Sequence, residues 1–421
     1  MAYQPNPAVS FSDSASLDAF QRLRTSSPFT QFDWTNQYSP ATAANQQQWD
    51  VAVVGSGAVN VQANKCLVRL TTGGTTSTWA ATYQTKHHLI YQPGKSRFVA
   101  MTFVLGATAT NSTFEIGYAG VNDGILFQRV TGASTTTNYI TRRTFTSGSI
   151  VDNQVAQSSW NLDKLDGTGA SGRTISFLTT NILIIDLQFL GVGRVRVGFD
   201  IDGEVFYAHE FLNANVLTLP YMSTGSLPLR AKVINTGTSA GTLTADFICA
   251  TVISEGGIEG SRANQFSASN GIVQITTGTS LLPIISIRPA TTFNSNTFRG
   301  HILPVSSECI VGTNTHEYQI IHNATLGGGT SWAAVDSTYS AAEVDIASTT
   351  ISGGIVVDRG YITAGGLGAS AFRTVGDANL FSDSPLTYTS LNNTQETLTL
   401  AARTQTGAGV ALASFTWQER Y

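Results

Sequence analysis

Arg194-Val-Arg-Val-Gly-Phe-Asp-Ile201 runs into Asp202-Gly203 and out again through Glu204-Val-Phe-Tyr-Ala-His209. Apolar and polar residues alternate before the Asp-Gly pair, the period of a strand half-buried in a sheet, and β-branched and aromatic residues follow it. Asp-Gly tolerates the positive φ angles of a two-residue hairpin turn. The stretch therefore predicts a β-hairpin, with Val195, Val197 and Phe199 facing one way and Arg194 and Arg196 the other. The same pattern recurs on either side of it. CLVRL (66–70), RFVAMTFVL (97–105), TFEIGYA (113–119), ILIIDLQFL (182–190) and ADFICATVI (245–253) are short, rich in β-branched and aromatic residues, and separated by turn signals. Strands of this number over ~200 residues predict a large two-sheet sandwich of jelly-roll, lectin-like or laminin-G-like type.

Ser254-Glu-Gly-Gly-Ile-Glu-Gly-Ser-Arg262 interrupts the pattern with three glycines and no apolar run. It reads as a linker. A second set of strands follows, among them LLPIISIRP (281–289), HILPVSSECIVG (301–312), EYQIIHNATL (317–326), GGIVVDRGYI (353–362) and VALASFTWQE (410–419). These predict a smaller antiparallel sandwich. The expected organisation is all-β: an N-terminal arm over 1–45, a large sandwich over 46–257 and a smaller one over 258–421.

The arm stands apart. In Ser14-Ala-Ser-Leu-Asp-Ala-Phe-Gln-Arg-Leu-Arg24, Leu17, Phe20 and Leu23 recur every three residues. Ser16 suits an N-cap and Asp18 the positive end of a short helix. So short a helix is not stable alone in water and must pack on something. Leu17, Phe20, Arg22, Leu23, Arg24, Phe29, Phe32 and Trp34 are the residues expected to dock the arm onto another protein.

LDAFQRLRTSSPFTQFD (17–33) resembles the N-terminal signature of a family of virion structural proteins of tailed bacteriophages and some other large DNA viruses. SSWNLDKLDGTGASG (158–172), LGVGRVRVGFDIDGEVFYAHEFLNANV (190–216), LPLRAKVINTG (227–237) and ATVISEGG (250–257) follow in that family's order. The likeness covers about the first 260 residues well and the remainder weakly. It implies a non-enzymatic component of a virion, assembled in the host cytoplasm and docked on other virion proteins. The first place it implies is a tail or fibre-like appendage. The alternatives are a capsid decoration protein and a glycan-binding adsorption protein. Virion parts are symmetric, so a homo-oligomer is expected, a trimer by analogy with phage appendages.

Composition agrees with an assembly protein. Charged residues are 12% of the chain, about half the usual share, and Gly numbers 40. Net charge is −4 with no basic block, so nothing marks a nucleic-acid footprint. Residues 1–10 are polar and carry Pro5 and Pro7, unlike a signal peptide. No apolar run reaches the ~20 residues that span a bilayer, so no membrane insertion is expected. Cys66, Cys249 and Cys309 lie far apart and read as buried free thiols of a reducing compartment.

Candidate chemistry is sparse. Asp200, Asp202 and Glu204 could mimic a glycosidase carboxylate cluster, but Asp202-Gly203 is better explained as the turn. Asp163 and Asp166 lie in a Gly-rich loop without the D-x-D-x-D-G spacing of a calcium loop, so a structural turn is the better reading. His87 and His88 are adjacent and should point to opposite faces of a strand. His316 and His322 would stand ~20 Å apart along one. No catalytic residue, metal or cofactor is expected. Trp79, Tyr83 and Trp332 lie in loop-like or polar contexts and are the candidates for stacking on a host-surface sugar, against the commoner fates of core or subunit contact.

Overall fold

The computed structural model describes residues 27–38, 47–256 except 108 and 147, 263–363 except 273, 274 and 313, the backbone of 371–375, and 385–421. Among these there is no α-helix; the elements are strands and a single turn of 3₁₀-helix. The helix expected at 16–24 lies outside the described residues, as do Leu17, Phe20, Arg22, Leu23 and Arg24.

Fifteen strands precede the glycine linker: β1 (Phe29–Thr35), β2 (Trp49–Val54), β3 (Ala58–Gln62), β4 (Leu67–Thr71), β5 (Ala80–Thr85), β6 (Ser96–Leu105), β7 (Ser112–Ala119), β8 (Gly124–Thr131), β9 (Thr136–Thr146), β10 (Ser149–Ala156), β11 (Asn181–Leu187), β12 (Val195–Ile201), β13 (Glu204–Phe211), β14 (Leu229–Asn235) and β15 (Thr244–Glu255). They form two antiparallel sheets. The eight-stranded sheet runs β13-β12-β11-β6-β15-β4-β3, with β1 also on β15; the seven-stranded sheet runs β10-β9-β8-β7-β14-β5-β2. The inward residues of both share one core, including Val99, Met101, Phe103, Phe114, Phe127, Val197 and Phe199. Non-local antiparallel pairing of this kind makes a jelly-roll-like sandwich.

The opening hairpin folds as read. Ile201 pairs with Glu204 across the turn, and Asp202 (φ 58°) and Gly203 (φ 83°) both take positive φ. Asp200 accepts a hydrogen bond from the Gly203 N–H at 3.0 Å, so Asp200 and Asp202 serve the turn. Replacing Gly203 by Val puts a β-branched residue at left-handed φ. It should cost about 1–2 kcal/mol, read as a lower urea midpoint at unchanged slope.

The strands after the linker make a second sandwich with its own core, in which Trp417, Phe415, Tyr318, Ile285 and Leu400 are buried. One sheet centres on Gly409–Arg420 and His301–Val311, the other on Leu282–Pro289, Leu398–Thr404 and His316–His322. The two sandwiches touch. The Ser390 N–H donates to the Lys86 carbonyl at 2.9 Å and its Oγ to the Thr85 carbonyl at 2.6 Å. Gln84 donates to Ser390 at 2.8 Å, and His87 lies 3.2 Å from Glu396.

The end of the arm departs from expectation. β1 pairs with β15 from Phe29↔Ser254 to Thr35↔Cys249. Phe32 and Trp34 pack on the chain's own core beside Trp49, while Phe29 is exposed. The reason is the open edge of β15 beyond β4, which offers β1 backbone partners within the same chain. Arg97, buried, fastens it further: it donates to Gln31 Oε1 at 2.7 Å and to the Ile90 carbonyl at 2.6 Å.

Candidate functional site

Strand alternation puts one set of side chains of the eight-stranded sheet in the core and the other outside. At the end of the sheet where β11, β13 and β15 finish and β6 and β12 begin, the outer set gathers Asp186, Arg196, Tyr207, Glu210, Ser96 and Glu255. Register explains the gathering: Asp186 pairs with Arg196, Arg196 with Glu210, and Glu255 with Ser96. A β-bulge adds Tyr207. Val197 pairs with His209 but Gly198 with Tyr207, so Ala208 is the extra residue and drops into the core. Strict alternation would have put Ala208 outside; the bulge re-aims Tyr207 onto the face of Glu210.

The result is an open groove of about 350 Å³ with Lys95, Ser96, Asp186, Gln188, Arg196 and Glu255 among its lining. Asp186 is its hub. It accepts hydrogen bonds from Arg196 and, at 3.2 Å, from the Tyr207 hydroxyl. The Arg196 guanidinium lies 4.1 Å over the Tyr207 ring. Ser96 donates to Glu255 at 2.6 Å, and Arg194 stands 3.7 Å from Glu210. Burial works against the charge on Arg196, yet the hydrogen bond and charge of Asp186 hold its pKa above the usual arginine range. Burial first, then the Asp186 charge, raises the Tyr207 pKa, so its hydroxyl stays a donor. Carboxylate acceptors, guanidinium and ammonium donors and an amide thus line one depression. That is a set suited to an uncharged ligand dense in hydroxyls, each a donor and an acceptor at once.

The aromatic residues singled out from sequence are not brought together. Tyr83 is fully buried and stacks on Trp49 with ring centroids 4.2 Å apart, so it is a core residue and cannot meet a sugar. Trp79 is packed between two glycine turns; a Cβ at Gly55 or Gly74 would fall 2.0 or 2.2 Å from its indole. Trp332 belongs to the second sandwich, with the Arg288 guanidinium 4.2 Å from its ring. Polar contexts disguised the inward position of Tyr83, and Trp79 is half-buried against its glycines. The groove itself had a signal that went unread: Asp186 is the one acid in ILIIDLQFL, on the outward register of an otherwise apolar strand.

Other polar groupings are used up within the chain. Asp163 accepts from the Leu165 and Ser171 N–H groups at 2.9 and 2.6 Å, which makes 163–171 a self-closed loop. Burial opposes the charge on Asp163, but these bonds hold its pKa below the usual range. His316 contacts the Thr277 hydroxyl at 2.7 Å. Asp123, in a crevice between the sandwiches, takes the Ser223 N–H and hydroxyl at 2.8 and 2.6 Å. Among the described residues no group of three or more His, Cys, Asp or Glu is placed to hold a metal ion. No helix among them is long and apolar enough to cross a membrane.

No protein-family model and no curated protein matches the chain. Solved structures are similar to it at low identity. The CBM2 module of the evolved Dit of Lactobacillus casei BL23 phage J-1 is 8% identical, over 55% of this chain and 98% of the module, at a TM-score of 0.36. A carbohydrate esterase from the Shiga toxin-encoding bacteriophage phi24B is 15% identical, over 54% of this chain and 100% of the other, at 0.33. The Bacillus licheniformis β-glucanase is 11% identical, over 54% and 99%, at 0.33. Two of these three are named as enzymes of carbohydrate. With carbohydrate enzymes among these structures, the expectation that the chain is not an enzyme is corrected and not held further. Likenesses at TM-scores this low carry no argument and assign no residue and no reaction here.

Proposed function

We propose that this chain is a component of a tailed-phage virion whose first sandwich binds glycan in the groove around Asp186. The groove carries the binding half of the reading: an open, polar depression in which acceptors and donors alternate on a rigid sheet face, with Arg196 and Tyr207 fixed by the carboxylate between them. Sheet-borne side chains are already ordered, so a sugar binding there orders little besides itself. The virion half is supported by the likeness of 17–33 and of the blocks between 158 and 257 to phage structural proteins. A glycan-reading surface suits the tail or adsorption apparatus better than a capsid coat. Self-association as a trimer belongs to the same proposal.

The test is binding of purified protein to envelope polysaccharide from the bacterium that the particle infects. Wild-type protein should bind, and Asp186→Ala or Arg196→Ala should weaken binding about 10- to 100-fold, the loss expected for a charged hydrogen-bond partner. Trp332→Ala should leave it unchanged. The same incubation is read for release of reducing ends. Binding that survives both groove substitutions, or no binding by the wild type, overturns the reading.

A further inference from the structure

Cys66 and Cys249 are separated by almost the whole first sandwich in sequence and meet in space. The ladder of β4 on β15 runs from Thr71↔Thr244 to Val68↔Phe247. Two residues past its end lie Cys66, on the β3–β4 turn, and Cys249, in the bulge that shifts the β15 register between Phe247 and Ala250. There β1 takes over the same edge: Thr35 pairs with Cys249, and the Asn36 N–H donates to the Ile248 carbonyl at 3.1 Å. Both cysteines are free and half-buried, whereas Cys309 is fully buried. The Cys249 thiol has its pKa raised by burial first, then by the charge and hydrogen bond of Cys66, so the two sulfurs are neighbours. Cys66 also ends the β3–β4 turn at φ 52°, a left-handed angle that a side chain other than Gly or Asn adopts at a cost.

We propose that Cys66 and Cys249 are an oxidisable pair that closes as an intrachain disulfide once the chain leaves a reducing medium, pinning the β3–β4 turn to β15 where β1 docks. A disulfide asks for Cβ atoms about 3.5–4.5 Å apart, and the side-chain hydrogen bond between the two thiols already brings the sulfurs together. What backbone adjustment closure needs falls on a hairpin turn and a bulge. The oxidant is a small-molecule disulfide. Cys66 loses its proton, and its thiolate attacks one sulfur of the oxidant, releasing a small thiolate and leaving a mixed disulfide. Cys249 then loses its proton and attacks the Cys66 sulfur. The mixed bond breaks, the Cys66–Cys249 bond forms, and the second small thiolate leaves. Two electrons and two protons pass from the protein thiols to the oxidant, which ends as two thiols. The groove around Asp186 takes no part, so this proposal stands or falls separately from glycan binding.

Full-length protein is incubated with oxidised glutathione, its remaining thiols are alkylated, and it is digested without reductant. The expected product is the Cys66 peptide joined to the Cys249 peptide, with Cys309 alkylated after unfolding, and the link lost on adding dithiothreitol. Oxidised protein should melt several degrees above reduced protein. Cys66→Ser and Cys249→Ser should each retain glutathione on the remaining partner or stay free, and Cys309→Ser should still close the link. Alkylation of both Cys66 and Cys249 after oxidation, a stable mixed disulfide on wild-type protein, or links only between two copies would overturn the proposal. The wild-type digest decides this even if a variant fails to fold.

Discussion

Glu115→Ala is expected to destabilise the first sandwich by about 3–5 kcal/mol, the range for removing one partner of a buried ion pair. Glu115 lies on the outer face of the seven-stranded sheet, yet it is almost wholly buried, as are Gln128, Arg230, Gln84 and Thr141 around it. Register sets Glu115 beside Gln128 on β8 and Lys232 on β14, with Arg230 two pairs along on the same face. Arg143 and Arg230 each approach the carboxylate to 3.2 Å, and Gln128 donates to it at 3.1 Å. Arg143 is held in turn by Asp152 at 2.8 Å, and Arg230 donates to Gln84 at 2.5 Å. Burial alone would raise the Glu115 pKa; the charges of Arg230, Arg143 and Lys232 bring it down to about 2. Removing the carboxylate leaves three cations in a dry site with one counter-charge, Asp152, at its rim. Glu115→Gln should cost nearly as much, because it keeps shape and hydrogen bonding but not charge. Both are read from urea unfolding followed by tryptophan fluorescence. A loss below about 1 kcal/mol, the size of a solvated surface pair, would mean that water reaches the network.

That network shows where sequence stops being legible. Alternation in TFEIGYA correctly sends Phe114, Ile116 and Tyr118 inward and Glu115 outward. It does not reveal that the outward face fills with its own long side chains, because the neighbours of Glu115 come from 13 and 115 residues away. The same limit governs the groove. Strand identity, the turn at 202–203 and the outward direction of Arg196 follow from local pattern, but the bulge that turns Tyr207 outward depends on pairing with β12. The cysteines and histidines were readable only as isolated residues, since each partner lies on another strand or in the other sandwich. Tyr83 looked like a surface aromatic because Thr and Gln flank it, and Trp34 like a contact for another protein; Tyr83 is buried against Trp49, and Trp34 is half-buried beside it on β1. Local period identifies strands, and inter-strand register, which a single sequence carries weakly, decides which side chains meet.

Lowering the pH from 6.5 to 4.5 is expected to weaken the joint between the two sandwiches by up to roughly 5 kcal/mol. The joint gathers His87, His88, His301, His322, Lys86, Arg299 and Glu396. His88 is pushed down to about 3 by burial, then by the nearby charges of Arg299 and His87. His301 is pushed down to about 3 by burial, then by His87 and His88. Both are therefore neutral when the joint is closed and free to titrate near 6.5 when it opens. Above pH 6.5 neither state takes a proton and the joint has its full strength. Below it the open state binds protons first, and each imidazole removes about 1.4 kcal/mol per pH unit until the closed state titrates too. His322 is shifted down as well, chiefly by burial, and adds in the same direction. Glu396 enters later. Burial works against its charge, but His87, His322 and Lys86 bring it down to about 2, so its contribution is whole above about 4.5 and fades below. Asp50, which burial pushes up, acts in the opposite sense, its carboxyl taking a proton more readily in the closed joint than in the open one. The melting temperature should be flat above pH 7 and fall steeply from 6.5 to 4.5, with a larger radius of gyration by X-ray scattering if the sandwiches part before they unfold. His88→Gln with His301→Gln should flatten that fall, since an amide there has no proton to gain. A slope unchanged by the double substitution would place the acid sensitivity elsewhere.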